Sequence, residues 1–105
     1  MKSEEGRMSE EAIKHQERRL TNAVLAYFNK LFKLEETYFL DGNPFKLEFS
    51  DPSGLTYKIR IVIGEVSQKD RDAVANRPLN PAFFRKYIAC RSADSGKDFD
   101  LIQIK

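Results

Sequence analysis

From Ser9 to Leu34 the chain runs without a Gly or Pro, and at Glu35-Glu36 its hydrophobic period changes from 3.6 to 2. That switch constrains the fold more than any other feature of the sequence. Wound at 100° per residue, Ile13, Leu20, Val24, Tyr27, Phe28, Leu31 and Leu34 gather along one line, the pattern of a long amphipathic helix. Ser9 is placed to cap it, and Glu10 and Glu11 complement the helix dipole in the first turn. A helix that needs one apolar face covered, followed by strand-period segments, predicts an α+β domain with the helix laid on a sheet.

The later segments fill in the order. Thr37 to Leu40 are strand formers, followed by a turn at Asp41-Gly42-Asn43-Pro44. Phe45, Leu47 and Phe49 alternate with Lys46, Glu48 and Ser50, and Asp51-Pro52-Ser53-Gly54 makes the next turn. Leu55, Tyr57, Ile59, Ile61 and Ile63 then alternate against Thr56, Lys58, Arg60 and Val62. Pairing Phe49 with Leu55, Leu47 with Tyr57 and Phe45 with Ile59 puts every apolar residue of the hairpin on one face. Gly64 suggests a bulge or bend near the strand end. Ser67 with Asp70 has capping-box spacing and predicts a short helix over 68–75. Asn80-Pro81 can begin another helical turn through Phe84. From Phe84 to Ser92 helix and strand both fit. Strand is preferred, because 99–104 reads as its partner after a turn at Asp94-Ser95-Gly96. The expected fold is a long N-terminal helix on an antiparallel sheet of about five strands, ordered α-β-β-β-α-β-β. It forms one domain over 9–105, behind a flexible, acidic leader at 1–8.

Composition narrows the function classes. The 105 residues are 41% hydrophobic and 32% charged, which excludes a disordered chain and a disulfide scaffold. The first 19 residues hold no apolar stretch, and the longest apolar run, Ala23 to Phe28, is far short of the roughly 20 residues that cross a bilayer. None of the five Asn residues opens an Asn-x-Ser/Thr acceptor, and the single Cys90 has no partner for an internal disulfide. A cytoplasmic protein without membrane attachment is expected.

Catalytic inventory is thin. His15 is the only histidine and falls opposite the apolar stripe, so nothing would orient it as a base. There is no Cys-x-x-Cys or His pair to suggest zinc, and the five glycines form neither a phosphate loop nor a dinucleotide fingerprint. Cys90 reads as a small core residue. The expectation is a non-enzyme with no metal, no cofactor and no small-molecule substrate. One catalytic alternative is a metal-dependent nuclease, since an α-β-β-β-α order is compatible with the restriction-endonuclease-like core. Its carboxylates would be Asp51 and Glu65, although Ser67 stands where such sites often carry lysine. Asp98 and Asp100 could share one strand face, where their charge would keep an edge strand soluble. The same order resembles that of double-stranded-RNA-binding domains, but the second helix has only Lys69 and Arg71 and no opening lysine pair.

Charge is more informative than its sum of +2. Residues 14–33 carry five Lys or Arg and one Glu; residues 34–56 carry one Lys and five acids; residues 57–91 carry eight Lys or Arg and three acids. Lys14, Arg18, Arg19, Lys30 and Lys33 lie on the outward side of the helix, and no acid occurs between Arg18 and Leu34. Lys58 and Arg60 share a strand face, and Arg85 and Lys86 follow near Tyr87. Arg18, Arg19, Lys30, Lys33, Lys58, Arg60, Arg85 and Lys86 are therefore the candidate partner-binding residues. The expected function is a small accessory or regulatory protein that binds another protein, or a second copy of itself, through this charge-segregated helix and sheet surface. Nucleic acid is the alternative partner, with Tyr57 or Tyr87 as stacking groups. An uncovered second sheet face and surplus aromatics such as Phe32, Phe39 and Phe84 favour the protein partner.

Overall fold

A computed structural model describes residues 9–91 and 98–105. The leader at 1–8 and the turn at Asp94-Ser95-Gly96 lie outside the described residues. Two helices and five strands follow the expected order: α1 (Glu10–Leu31), β1 (Thr37–Phe39), β2 (Leu47–Ser50), β3 (Thr56–Val62), α2 (Gln68–Ala75), β4 (Phe84–Arg91) and β5 (Phe99–Ile104). The Ser9 hydroxyl accepts from the Ala12 N–H at 3.1 Å and starts α1. The helix stops three residues before Leu34, because Phe32 is already extended, and the chain pairs beside β2 through the Glu35 N–H and Ser50 C=O. Both halves of the predicted capping box are present at Ser67 and Asp70, and α2 has the predicted bounds. The turn after Asn80 ends at Phe83, and the segment from Phe84 is strand.

The strands lie in one sheet in the order β1-β2-β3-β4-β5. It is mixed rather than wholly antiparallel: β3 and β4 run parallel, from Thr56 opposite Phe84 to Val62 opposite Cys90. Parallel neighbours need a long crossover, and α2 supplies it. The crossover also settles the second sheet face, which is not left open. α1 covers Leu47, Phe49, Ile59, Ile61 and Ala89 on one side. On the other, Val74 of α2 is fully buried in a cluster with Phe45, Val62, Ile88 and Cys90.

Two details of the first hairpin differ from expectation. Phe49 faces Tyr57 and Leu47 faces Ile59, a shift of two residues that keeps the same side chains on the α1 face. The turn decides this: the Gly54 N–H bonds the Asp51 C=O, the Asp51 N–H bonds the Leu55 C=O, and Gly54 takes φ +92°. Asp51 and Leu55 thus close a three-residue loop and fix the register. Phe45, in turn, packs under α2 rather than under α1. It precedes the first residue of β2, in a turn closed by the Gly42 N–H on its carbonyl, so strand alternation does not govern it. Gly64 (φ +102°) makes the expected bend just past the end of β3, in the turn toward α2.

Candidate functional site

The eight candidate cations divide cleanly by element. Arg60 on β3 is consumed internally. Its Nε and Nη2 donate to Asp70 Oδ1 at 3.1 and 2.8 Å, and its Nη1 donates to the carbonyls of Pro44 at 2.8 Å and Gly42 at 3.3 Å. Asp70 Oδ2 in turn accepts from the Ser67 N–H and hydroxyl, both at 2.9 Å. One guanidinium therefore ties the 42–44 turn, β3 and the first turn of α2 together. Lys86 on β4 performs the matching task at the other end of α2. Its Nζ donates to the carbonyls of Val74 and Arg77 at 3.1 Å and Ala75 at 3.4 Å, capping the end of α2 and the turn that follows it.

Lys58 pairs with Glu48 at 3.0 Å, directly across the β2–β3 ladder, and sits 5.7 Å from the Phe45 ring centre. Arg85 donates from Nη1 to the Pro81 and Phe84 carbonyls. None of these four is a free cation. The tyrosines proposed as stacking groups are also committed. Tyr57 stacks on Phe49 at 5.2 Å and on Phe32 at 5.4 Å, and Tyr87 lies 6.3 Å from Tyr57 and 6.0 Å from Phe28.

The helical cations are different. Arg18, Arg19 and Lys30 are exposed, as is Lys14; Lys33, expected on the same face, is exposed too but lies past the helix end, because Phe32 is already extended, and none of these makes a hydrogen bond or ion pair among the described residues. Glu17, the acid within this stretch, turns toward the sheet and pairs with Lys46 at 3.6 Å. From Arg18 to Lys30 the outward face of α1 extends about 18 Å without a carboxylate. His15, Asn22 and Asn29 lie exposed along it. Along the apolar stripe of the same helix three large side chains still reach solvent, Ile13, Tyr27 and Leu31, of which Tyr27 adjoins Lys30. Lys69 and Arg71 stand on α2, across the sheet from α1, so the two helices do not build one basic surface.

The carboxylates that a metal-dependent nuclease would bring together are held apart. Asp51 precedes β3 and Glu65 follows it, at opposite ends of a seven-residue strand about 20 Å long. The Asp51 carboxylate is also occupied in its own turn. Oδ1 accepts from the Ser53 N–H, the Leu55 N–H and the Ser53 hydroxyl, and Oδ2 from the Tyr57 hydroxyl at 3.1 Å. Burial pushes its pKa up, but those four donors outweigh it and hold the group below the ordinary carboxylate value. Asp51 and Glu65 cannot share one ion, and no cluster of three or more His, Cys, Asp or Glu with ligand geometry occurs among the described residues. Cys90 is buried, which raises its thiol pKa, as befits a core residue. No helix of the described residues is long and apolar enough to cross a membrane. No protein family, curated protein or solved structure matches this chain.

Proposed function

We propose that this is a non-catalytic accessory or regulatory domain of the cytoplasm that docks α1 against an acidic surface of another protein. The observation that carries the reading is the outward face of α1: unpaired Arg18, Arg19 and Lys30 with no acid among them, unpaired Lys33 just past the helix end, and exposed Tyr27 beside Lys30. Unpaired cations bordered by an exposed aromatic side chain fit a protein interface, which combines an apolar centre with a polar rim. Opposite charge on the partner would steer its approach. A phosphate backbone needs the cations but not the apolar flank. The nucleic-acid reading keeps the helix cations but not the strand face or the stacking groups, since Lys58 and Arg60 are bonded internally and Tyr57 and Tyr87 lie in the aromatic cluster.

The test is affinity purification from the native host with the wild-type chain and with an Arg18→Glu, Lys33→Glu variant, identifying recovered protein and nucleic acid alike. The expected result is a specific protein retained by the wild type and lost by the variant. Recovery of nucleic acid alone, or equal recovery by both chains, would overturn the reading.

A further inference from the structure

We infer that the cavity where β4 begins and β5 ends binds a small organic acid, its carboxylate held by Arg85 and Lys105 and its apolar body resting on Leu79, Phe84 and Ile104. The inference is independent of what α1 binds.

The cavity encloses about 470 Å³, the size of a small-molecule site. Strand register brings its cations together. The β4–β5 ladder ends with Lys86 opposite Ile104, so Arg85 and Lys105 come next on it, side by side. Like charges at such positions repel, and an anion between them relieves the repulsion. No acidic side chain among the described residues lines the cavity to do so. Lys86, a third cation of the lining, adds to the field, because its three partners are neutral carbonyls that leave its charge uncompensated.

Arg85 supplies the shape. Its two hydrogen bonds, to the Pro81 and Phe84 carbonyls, both leave from Nη1. They tie the guanidinium back to the turn before β4 and leave Nε and Nη2 without a partner among the described residues. Those two nitrogens form a planar edge that grips a carboxylate through two parallel bonds. A guanidinium already fixed at its other end loses little freedom in doing so. Arg85 is half-buried, and its charge is felt by its neighbours: burial raises the pKa of Tyr57 and of Tyr87, and Arg85 pulls against both. Exposed Lys105 and the Gln103 amide add further donors to the lining. The remaining wall, with Leu79, Phe84 and Ile104, is apolar and would be left wet by a bare inorganic anion. Charge therefore selects an anion, the fork a carboxylate, and the wall one with an apolar body.

The test is a titration of the full chain with phenylacetate, followed by heteronuclear NMR at the Arg85 Nε–H and the Gln103 amide, with phenylacetamide and inorganic phosphate as controls. The acid should saturate with a Kd of about 1 mM, move both signals, and bind about tenfold more tightly than either control. Arg85→Lys, which keeps the charge but not the fork, should weaken binding about tenfold. Lys105→Gln, exposed and beyond the strand, should weaken it about threefold and leave the thermal midpoint in place, so the test stays decisive if the first variant does not fold. Failure to saturate, equal binding of the amide or of phosphate, or signals that move only elsewhere would each overturn the inference. So would an affinity unchanged in Lys105→Gln.

Discussion

Arg60 shows how far the role of a charged residue depends on what stands opposite it. Its side chain is only 22% exposed, and it spends both edges of the guanidinium on Asp70 and on two turn carbonyls. Arg60→Ala strands those acceptors and should destabilise the fold by about 2–3 kcal/mol, read as a lower urea midpoint. Arg60→Lys should recover little of this, since one ammonium cannot reproduce the planar fork. The acid limb of stability follows from Asp70 and Asp51. Burial raises the Asp70 pKa, but the Ser67 N–H, the Arg60 guanidinium, the Ser67 hydroxyl and the nearby Arg60 charge hold it below the ordinary value. A depressed carboxylate contributes stability that is complete above its unfolded pKa, about 4, and is lost as pH falls through the folded value. Thermal midpoints should therefore fall below about pH 4, and Asp70→Asn should flatten the fall while lowering the plateau at neutral pH. Tyr57 sets the alkaline limb. Burial first, then the hydrogen bond and charge of Asp51, push its pKa up to about 12. Its contribution is intact below the unfolded value near 10 and is lost as pH rises through the folded one. Ultraviolet titration should show one tyrosine ionising near 12, and Asp51→Asn should bring it down.

Among the elements, α1 docks through an aromatic cluster centred on Phe28, whose ring lies 4.9 Å from Phe49, 5.5 Å from Tyr57 and 6.0 Å from Phe32. Phe28 is 4% exposed, so Phe28→Ala should cost about 3–5 kcal/mol in chemical denaturation. Both helices were legible because their signals are local: Ser9 and Ser67 cap within three residues of themselves. The strands were legible as segments, by alternation, but their neighbours were only partly so. The β2–β3 register turns on how Asp51 and Gly54 close the loop, not on the apolar pattern, which two registers satisfy equally. The parallel pairing of β3 with β4 joins segments more than twenty residues apart, and no periodicity encodes it. What could have been noticed is chemical. Asp70 in the first turn of α2 and a lysine two residues into the following strand suit, respectively, a cation on a neighbouring strand and a helix C-terminus. Those two signals account for Arg60 and Lys86 being bonded within the fold.

For the whole molecule, segregation of charge by element is what the sequence displayed most openly, and burial then sorted it. The candidate cations of the sheet, Lys58, Arg60, Arg85 and Lys86, are fastened, and those of α1 are not. The Arg18→Glu, Lys33→Glu variant should keep its thermal midpoint and unfolding free energy within about 0.5 kcal/mol of wild type, as expected of exposed sites without partners. Its partner affinity should drop, and the dependence of binding on salt should flatten with it. A variant that unfolds instead would place α1's outer cations in the fold.

The unfastened face of α1 has an evolutionary consequence. A residue bonded into the fold, as Arg60 is, can change only at a cost to folding, so its history is bound to that of its partners. Arg18, Arg19, Lys30 and Lys33 carry no such obligation. Their identities can drift or be reselected as fast as a partner's surface changes, while the scaffold beneath stays still. In a lineage of such chains, the outer stripe of α1 should diverge first and the pins of α2 last.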